Sequence, residues 1–216
     1  MRKKFDEQLA ALNHSLIRMG AICEESIALA AKAFTQGEKR LVDKIEPLSQ
    51  ELEDMEHEVE NLCIKLLLQQ QPVAGDMRHI SAALKMVTDM KRIGVQAEDI
   101  AEIIKVMKIN PDCNLQIIND MATATVRMVT GSVEAFVKQD ANLAEKIISD
   151  DDTVDDCFIR VRQWLVELIG KEPSSGETAL DILMIAKYLE RIADHAVNIA
   201  QWVIYSVSGQ YKGDSL

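Results

Sequence analysis

Asp151 and Asp155 stand four residues apart, and so do Glu190 and Asp194. Side chains four apart on a helix lie one above the other, so each pair makes a short carboxylate ladder on one helix face. Two such ladders on packed helices can converge on a cation, and hard divalent cations prefer oxygen-rich sites of this kind. Asp152, one step round from Asp151, and Asn198, four after Asp194, are candidate additional ligands. His195 follows Asp194 but points about 100° away on a helix, so it is left out of the ligand set. A plainer reading uses the same residues differently. Glu190 pairs with Lys187 or Arg191, and the aspartates mark an exposed turn and helix start, where aspartate caps backbone amides and complements the helix dipole. The residues alone leave both readings open, and no catalytic residue is assigned.

The second ladder belongs to a predicted helix, Tyr188 to Ala200. Leu189, Ile192, Ala193, Ala196, Ile199 and Ala200 recur at spacings of three and four, giving an apolar stripe beside the carboxylates. This stretch has an earlier counterpart from Asp89 to Ala101, at a constant offset of 99: Arg92 and Arg191, Ile93 and Ile192, Ala97 and Ala196, Ile100 and Ile199, Ala101 and Ala200 are identical. Two further registers agree. Ala33, Phe34, Leu41, Lys44 and Ile45 recur 102 residues later, and Pro72, Gly75 and Asp76 reappear as Pro173, Gly176 and Glu177. Three matches in one order define a tandem duplication. The predicted fold is therefore all-α: a three-helix unit, duplicated, forming two antiparallel three-helix bundles related by a pseudo-twofold axis. Residues 1–109 are the first repeat and 110–216 the second, divided at Asn110-Pro111-Asp112.

Within that plan a first helix is expected over 5–34, closed by Gly37. A short helix over 38–46 precedes a long one over 47–70 with Pro47 as its first residue, where proline is best tolerated. A third runs from after Pro72 to about 108 and a fourth over 114–138. The fifth starts at Ala141, with a pause expected at Ser149-Asp150 and a stop at Gly170. The sixth starts at Pro173, where Ser174 and Glu177 have capping-box spacing. It runs to about Val207. Arg78 and Arg191 are read as structural, each near an acid on its own helix.

Composition narrows the function. Of 216 residues 48% are hydrophobic but only 4% aromatic, with 10 Met and 4 Pro, which suits aliphatic helix packing. The net charge of −11, with no basic stripe, argues against nucleic acid as a partner. Cys23, Cys63, Cys113 and Cys157 form no C-x-x-C pair and read as reduced, buried thiols of a cytoplasmic protein. Met-Arg-Lys-Lys leads straight to Phe5-Asp6-Glu7, so no signal peptide is expected. No apolar run approaches the roughly 20 residues that span a bilayer. Direct membrane insertion is therefore not expected, and any peripheral association would run through partners.

The duplicated unit, Gln70-Gln-Pro-Val-Ala-Gly-Asp-Met-Arg78, and Glu190-Arg-Ile-Ala-Asp-His-Ala-Val-Asn-Ile-Ala200 together resemble the PhoU family over nearly the whole chain. The resemblance implies a cytoplasmic, all-α, often homodimeric protein without enzymatic activity. It implies negative regulation of phosphate uptake and of the phosphate-starvation response. The implied partners are the ATPase subunit of the high-affinity phosphate ABC transporter and a sensor histidine kinase. It also implies clusters of iron or zinc, or another divalent cation, on paired E/D-x-x-x-D motifs, with no organic cofactor. The candidate metal set is then Asp151, Asp155, Glu190 and Asp194. The first repeat departs from the pattern: Lys91 stands at the place of Glu190, Val95 at that of Asp194 and Ser49 at that of Asp151, while Glu53 matches Asp155.

Two other functions compete. A carboxylate-bridged di-iron enzyme on a helical bundle needs Glu-x-x-His pairs. None occurs, and the nearest approaches, Asp54-x-x-His57 and Asp76-x-x-His79, are expected on the wrong helices to pair with Glu190. A passive helical adaptor needs no site at all.

Overall fold

The computed structural model describes residues 2–69, 72–107 and 115–210. Among the described residues there are six α-helices: α1 (Arg2–Gln36), α2 (Ile45–Gln69), α3 (Ala74–Val106), α4 (Leu115–Lys138), α5 (Ala141–Lys171) and α6 (Gly176–Ser208). Short 3-10 turns, Lys39–Lys44 and Pro173–Ser175, precede α2 and α6, and the described residues contain no strand. The Asn110-Pro111-Asp112 break, the expected boundary between 109 and 110, Cys113, Gln70 and Gln71 lie outside the described residues.

Each helix buries the stripe its sequence supplies. On α1 the fully buried residues include Leu12, Leu16, Met19, Cys23, Ile27 and Phe34. Phe34 has its duplicate in Phe136 on α4, also fully buried. α1, α2 and α3 pack together, as do α4, α5 and α6. The two bundles then join like on like, α1 against α4 and α3 against α6, which is what a pseudo-twofold axis produces. α2 and α5 flank this four-helix centre. α3 and α6 run antiparallel along their whole length. Near the middle Asp89 meets His195, Arg191 acts on Asp99, and at one end Arg78 lies against Gly209.

Two close approaches set the packing. A Cβ on Gly94 of α3 would stand 2.5 Å from Cδ1 of the fully buried Leu52 on α2. A Cβ on Gly131 of α4 would stand 2.6 Å from Cδ1 of Ile147 on α5.

Several boundaries differ from expectation. The 3-10 turn runs straight into α2 at Ile45, so Pro47 is the third helical residue rather than the first. It is still in the first turn, where amide protons have no intrahelical acceptor. Lys39 ties the 3-10 turn to the end of α3, donating to the Met107 carbonyl at 2.6 Å. α5 does not pause at Ser149-Asp150; Ser149 bonds back to the Glu145 carbonyl at 3.2 Å and the helix continues. It passes Gly170 and ends at Lys171, just before Pro173. The expected capping box of Ser174 and Glu177 does not form. Ser174 donates to Glu172 Oε1 at 3.2 Å, and Ser175 to the Glu172 carbonyl at 2.7 Å, closing a 3-10 turn ahead of α6.

Candidate functional site: an acidic face between α5 and α6

α5 and α6 are packed neighbours, with Asp151 and Glu190 half-buried and Asp155 and Asp194 exposed. Burial pushes Asp151 up to about 6, and the charges of Asp155, Asp194, Asp152 and Glu190 push the same way. Asp194 is also raised, first by burial, then by Glu190, with Asp155 adding to it and Lys187 and His195 opposing. Like charges held together disfavour ionisation, so these shifts place the set in one electrostatic neighbourhood. No three described His, Cys, Asp or Glu side chains close round one point as metal ligands.

Glu190 has a partner already: Lys187, one turn earlier on α6, is ion-paired with its carboxylate. This is the pairing the plainer reading anticipated. The Lys187 ammonium also lies 5.5 Å from the centre of the Phe158 ring on α5. Asp152 is exposed. Asn198, a candidate additional ligand, directs its amide elsewhere, donating to Asp89 Oδ1 on α3 at 3.4 Å.

His195 does turn away from the acidic face, as its position on the helix requires. Its Nδ1 lies 2.8 Å from Asp89 Oδ1, and both residues are buried between the repeats. Duplication gave no hint of this link, because Asp89 aligns with Tyr188 and His195 with Gln96. The other histidines of interest stay away from the carboxylates. His79 stacks on Phe136 with ring centres 4.3 Å apart, its Nε2 3.3 Å from Asn13 Oδ1 and its Nδ1 3.2 Å from the Gln139 amide nitrogen. Asp76 accepts from the Val73 amide at the start of α3, and His57 is exposed beside Glu60. Cys23, Cys63 and Cys157 are free and buried, and burial pushes the Cys23 and Cys63 thiols up to about 12.

The first repeat answers differently. Lys91 Nζ stands 3.1 Å from Glu53 Oε1 and 3.1 Å from Glu56 Oε2. The repeat register singles out Lys91 and Glu53 but not Glu56, whose duplicate is Phe158.

The PhoU domain family model matches residues 16–104 and again residues 118–203. A phosphate-specific transport system accessory protein PhoU homolog of Clostridium acetobutylicum is 32% identical over 213 residues, covering 97% of this chain and 96% of its own. One from Aquifex aeolicus is 32% identical over 208 residues, covering 96% and 94%. The crystal structure of PhoU from Pseudomonas aeruginosa superposes with a TM-score of 0.90 at 28% identity, over 95% of this chain and 100% of that one. The phosphate transport system regulatory protein PhoU from Streptococcus pneumoniae has the same fold, with a TM-score of 0.88 at 23% identity over 96% and 98% of the two chains. One three-helix unit present twice and packed like on like makes this a tandem-repeat helical-bundle protein. The chain belongs to the PhoU family.

Proposed function

We propose that this chain is a cytoplasmic negative regulator of phosphate uptake and of the phosphate-starvation response, an adaptor rather than an enzyme. In this reading it works as a homodimer, coupling the ATPase subunit of a phosphate ABC transporter to a sensor histidine kinase. The observation that carries it is the twofold PhoU match, with relatives named for phosphate-specific transport aligned along almost the entire chain. No described helix is long and apolar enough to cross a membrane, so in this reading contact with the transporter runs through its ATPase. Deleting the gene should raise transcription of phosphate-uptake genes in phosphate-rich medium, and the purified protein should capture the ATPase subunit. Unchanged transcription would refute the regulatory reading.

The acidic face supports a cation-dependent form of the same role. Its residues fit a divalent cation, iron and zinc included, by charge: Asp155, Asp194, Asp152 and Glu190 all push Asp151 upward. Asp151, Asp155, Glu190 and Asp194 would hold the ion, which would supply the missing positive charge and bind α5 to α6. Ligation requires these side chains to turn inward and Glu190 to leave Lys187. Metal analysis of the purified protein, of Glu190→Gln/Asp194→Asn and of the control Glu53→Gln tests this. Metal retained by the double variant would reject the assignment.

A further inference from the structure

Both repeats bring carboxylates together between their second and third helices, but they balance the charge in different ways. In the second repeat Lys187 pairs with Glu190 on its own helix. The set of Asp151, Asp155, Glu190 and Asp194 with Lys187 therefore keeps three net negative charges. In the first repeat Lys91 reaches from α3 across to α2, with Glu53 and Glu56 both at 3.1 Å. Both distances lie within the ordinary N–H···O hydrogen-bond range. Glu56 is only 6% exposed, and a carboxylate that buried needs a counter-charge. Lys91 sits where α6 has Glu190, and Glu53 where α5 has Asp155. Val95 and Ser49 remove the remaining two carboxylates from this half.

We infer that Lys91 is a resident counter-ion: between α2 and α3 its ammonium takes the place that a divalent cation takes between α5 and α6, so the chain admits a cation in its second repeat alone. Only the last clause rests on the cation reading given above; the counter-ion role stands on the ion-pair geometry. Lys91 holds Glu53 below its ordinary range by a hydrogen bond and by charge, with a smaller contribution from the nearby His57. Glu53 and Glu56 hold Lys91 above its own.

Peptide-level hydrogen exchange on the full chain, stripped of metal by a chelator and then titrated with Mn2+, reads the two helix pairs separately. In the wild type Mn2+ should slow exchange in α5 and α6 and leave α2 and α3 unchanged. Lys91→Met should exchange about tenfold faster in α2 and α3 at pH 7.5 without metal, as loss of a charged hydrogen-bond partner predicts. A depressed carboxylate stabilises above its unfolded value and ceases to as pH falls through its folded value. The deficit should therefore narrow towards pH 4. Lys91→Arg should behave as wild type. Wild-type protection in Lys91→Met at pH 7.5, or Mn2+ protection of α2 and α3 in the wild type, would overturn the inference. If Lys91→Met behaves as expected but Mn2+ leaves α5 and α6 of the wild type unchanged, the counter-ion role stands and the second-repeat cation site falls.

Discussion

A carboxyl pushed up to about 6, as that of Asp151 is, weakens the fold over a definite pH window. The folded chain binds the proton more tightly than the unfolded chain does. The penalty is absent below the ordinary carboxylate range, grows as pH rises, and is complete above about 6. Asp151→Asn should therefore raise the thermal midpoint at pH 7.5 in chelator, and the gain should vanish at pH 4. A variant melting at or below wild type at pH 7.5 would contradict the crowding of charge described for this face. His79 has the opposite sign of dependence. Burial lowers its value from 6.5, so its contribution is present above 6.5 and is lost as pH falls through the folded value. Urea midpoints at pH 7.5 and 5.5 should fall more for wild type than for His79→Gln. Equal falls would mean the ring is already solvated in the folded chain. Some of the chemistry at this scale was legible, since the charges of Asp155, Asp194 and Glu190 all act on Asp151. The Lys187 pairing was visible as an alternative. The Asp89–His195 link was not, because a helix face predicts direction but not which distant residue waits there.

At the scale of elements, packing and caps carry the measurable energies. Gly94→Val drives branched carbon into Leu52 on a helix pair with no room for it, an overpacking cost of about 1–3 kcal/mol. Denaturant titration should show the loss, and Leu52→Ala combined with Gly94→Val should recover part of it. Asp140 caps α5, its Oδ1 accepting from the Leu143 amide at 3.0 Å, so Asp140→Ala should cost about 1 kcal/mol. Helix number, order and type followed from periodicity and from three registered repeats. The ends followed less well. Gly37 adopts φ +70 and stops α1, as a glycine is expected to. Its duplicate at the end of α4 is Gln139, which takes φ 53 without glycine's freedom. Local sequence does not advertise that turn. It is secured by the Asp140 amide bonding back to the Ala135 carbonyl at 2.9 Å and by the Gln139 side chain at His79. Ser174 likewise satisfied a capping pattern that the 3-10 turn containing it pre-empted.

For the whole molecule, the contacts between repeats involve the same helices as the contacts within them. α3 and α6 bury Ile93, Ala97, Ile100 and Ile192, Ala196, Ile199 on their apolar stripes, and the Asp89–His195 bond lies between them. The repeats should therefore melt together. Calorimetric and van't Hoff enthalpies should agree, and circular dichroism and tryptophan fluorescence, which reads Trp164 and Trp202 in the second repeat, should give one midpoint. Two midpoints would mean that each repeat holds its own core. The antiparallel pairing of α3 with α6 has one more consequence. Each is 33 residues long, so the hairpin tips at their N-termini stand about 50 Å apart, at opposite ends. One tip presents Val73 and Met77 to solvent and the other Leu180 and Met184. Opposed helix directions thus hold these two exposed apolar tips a full helix-length apart, so no single flat surface can cover both.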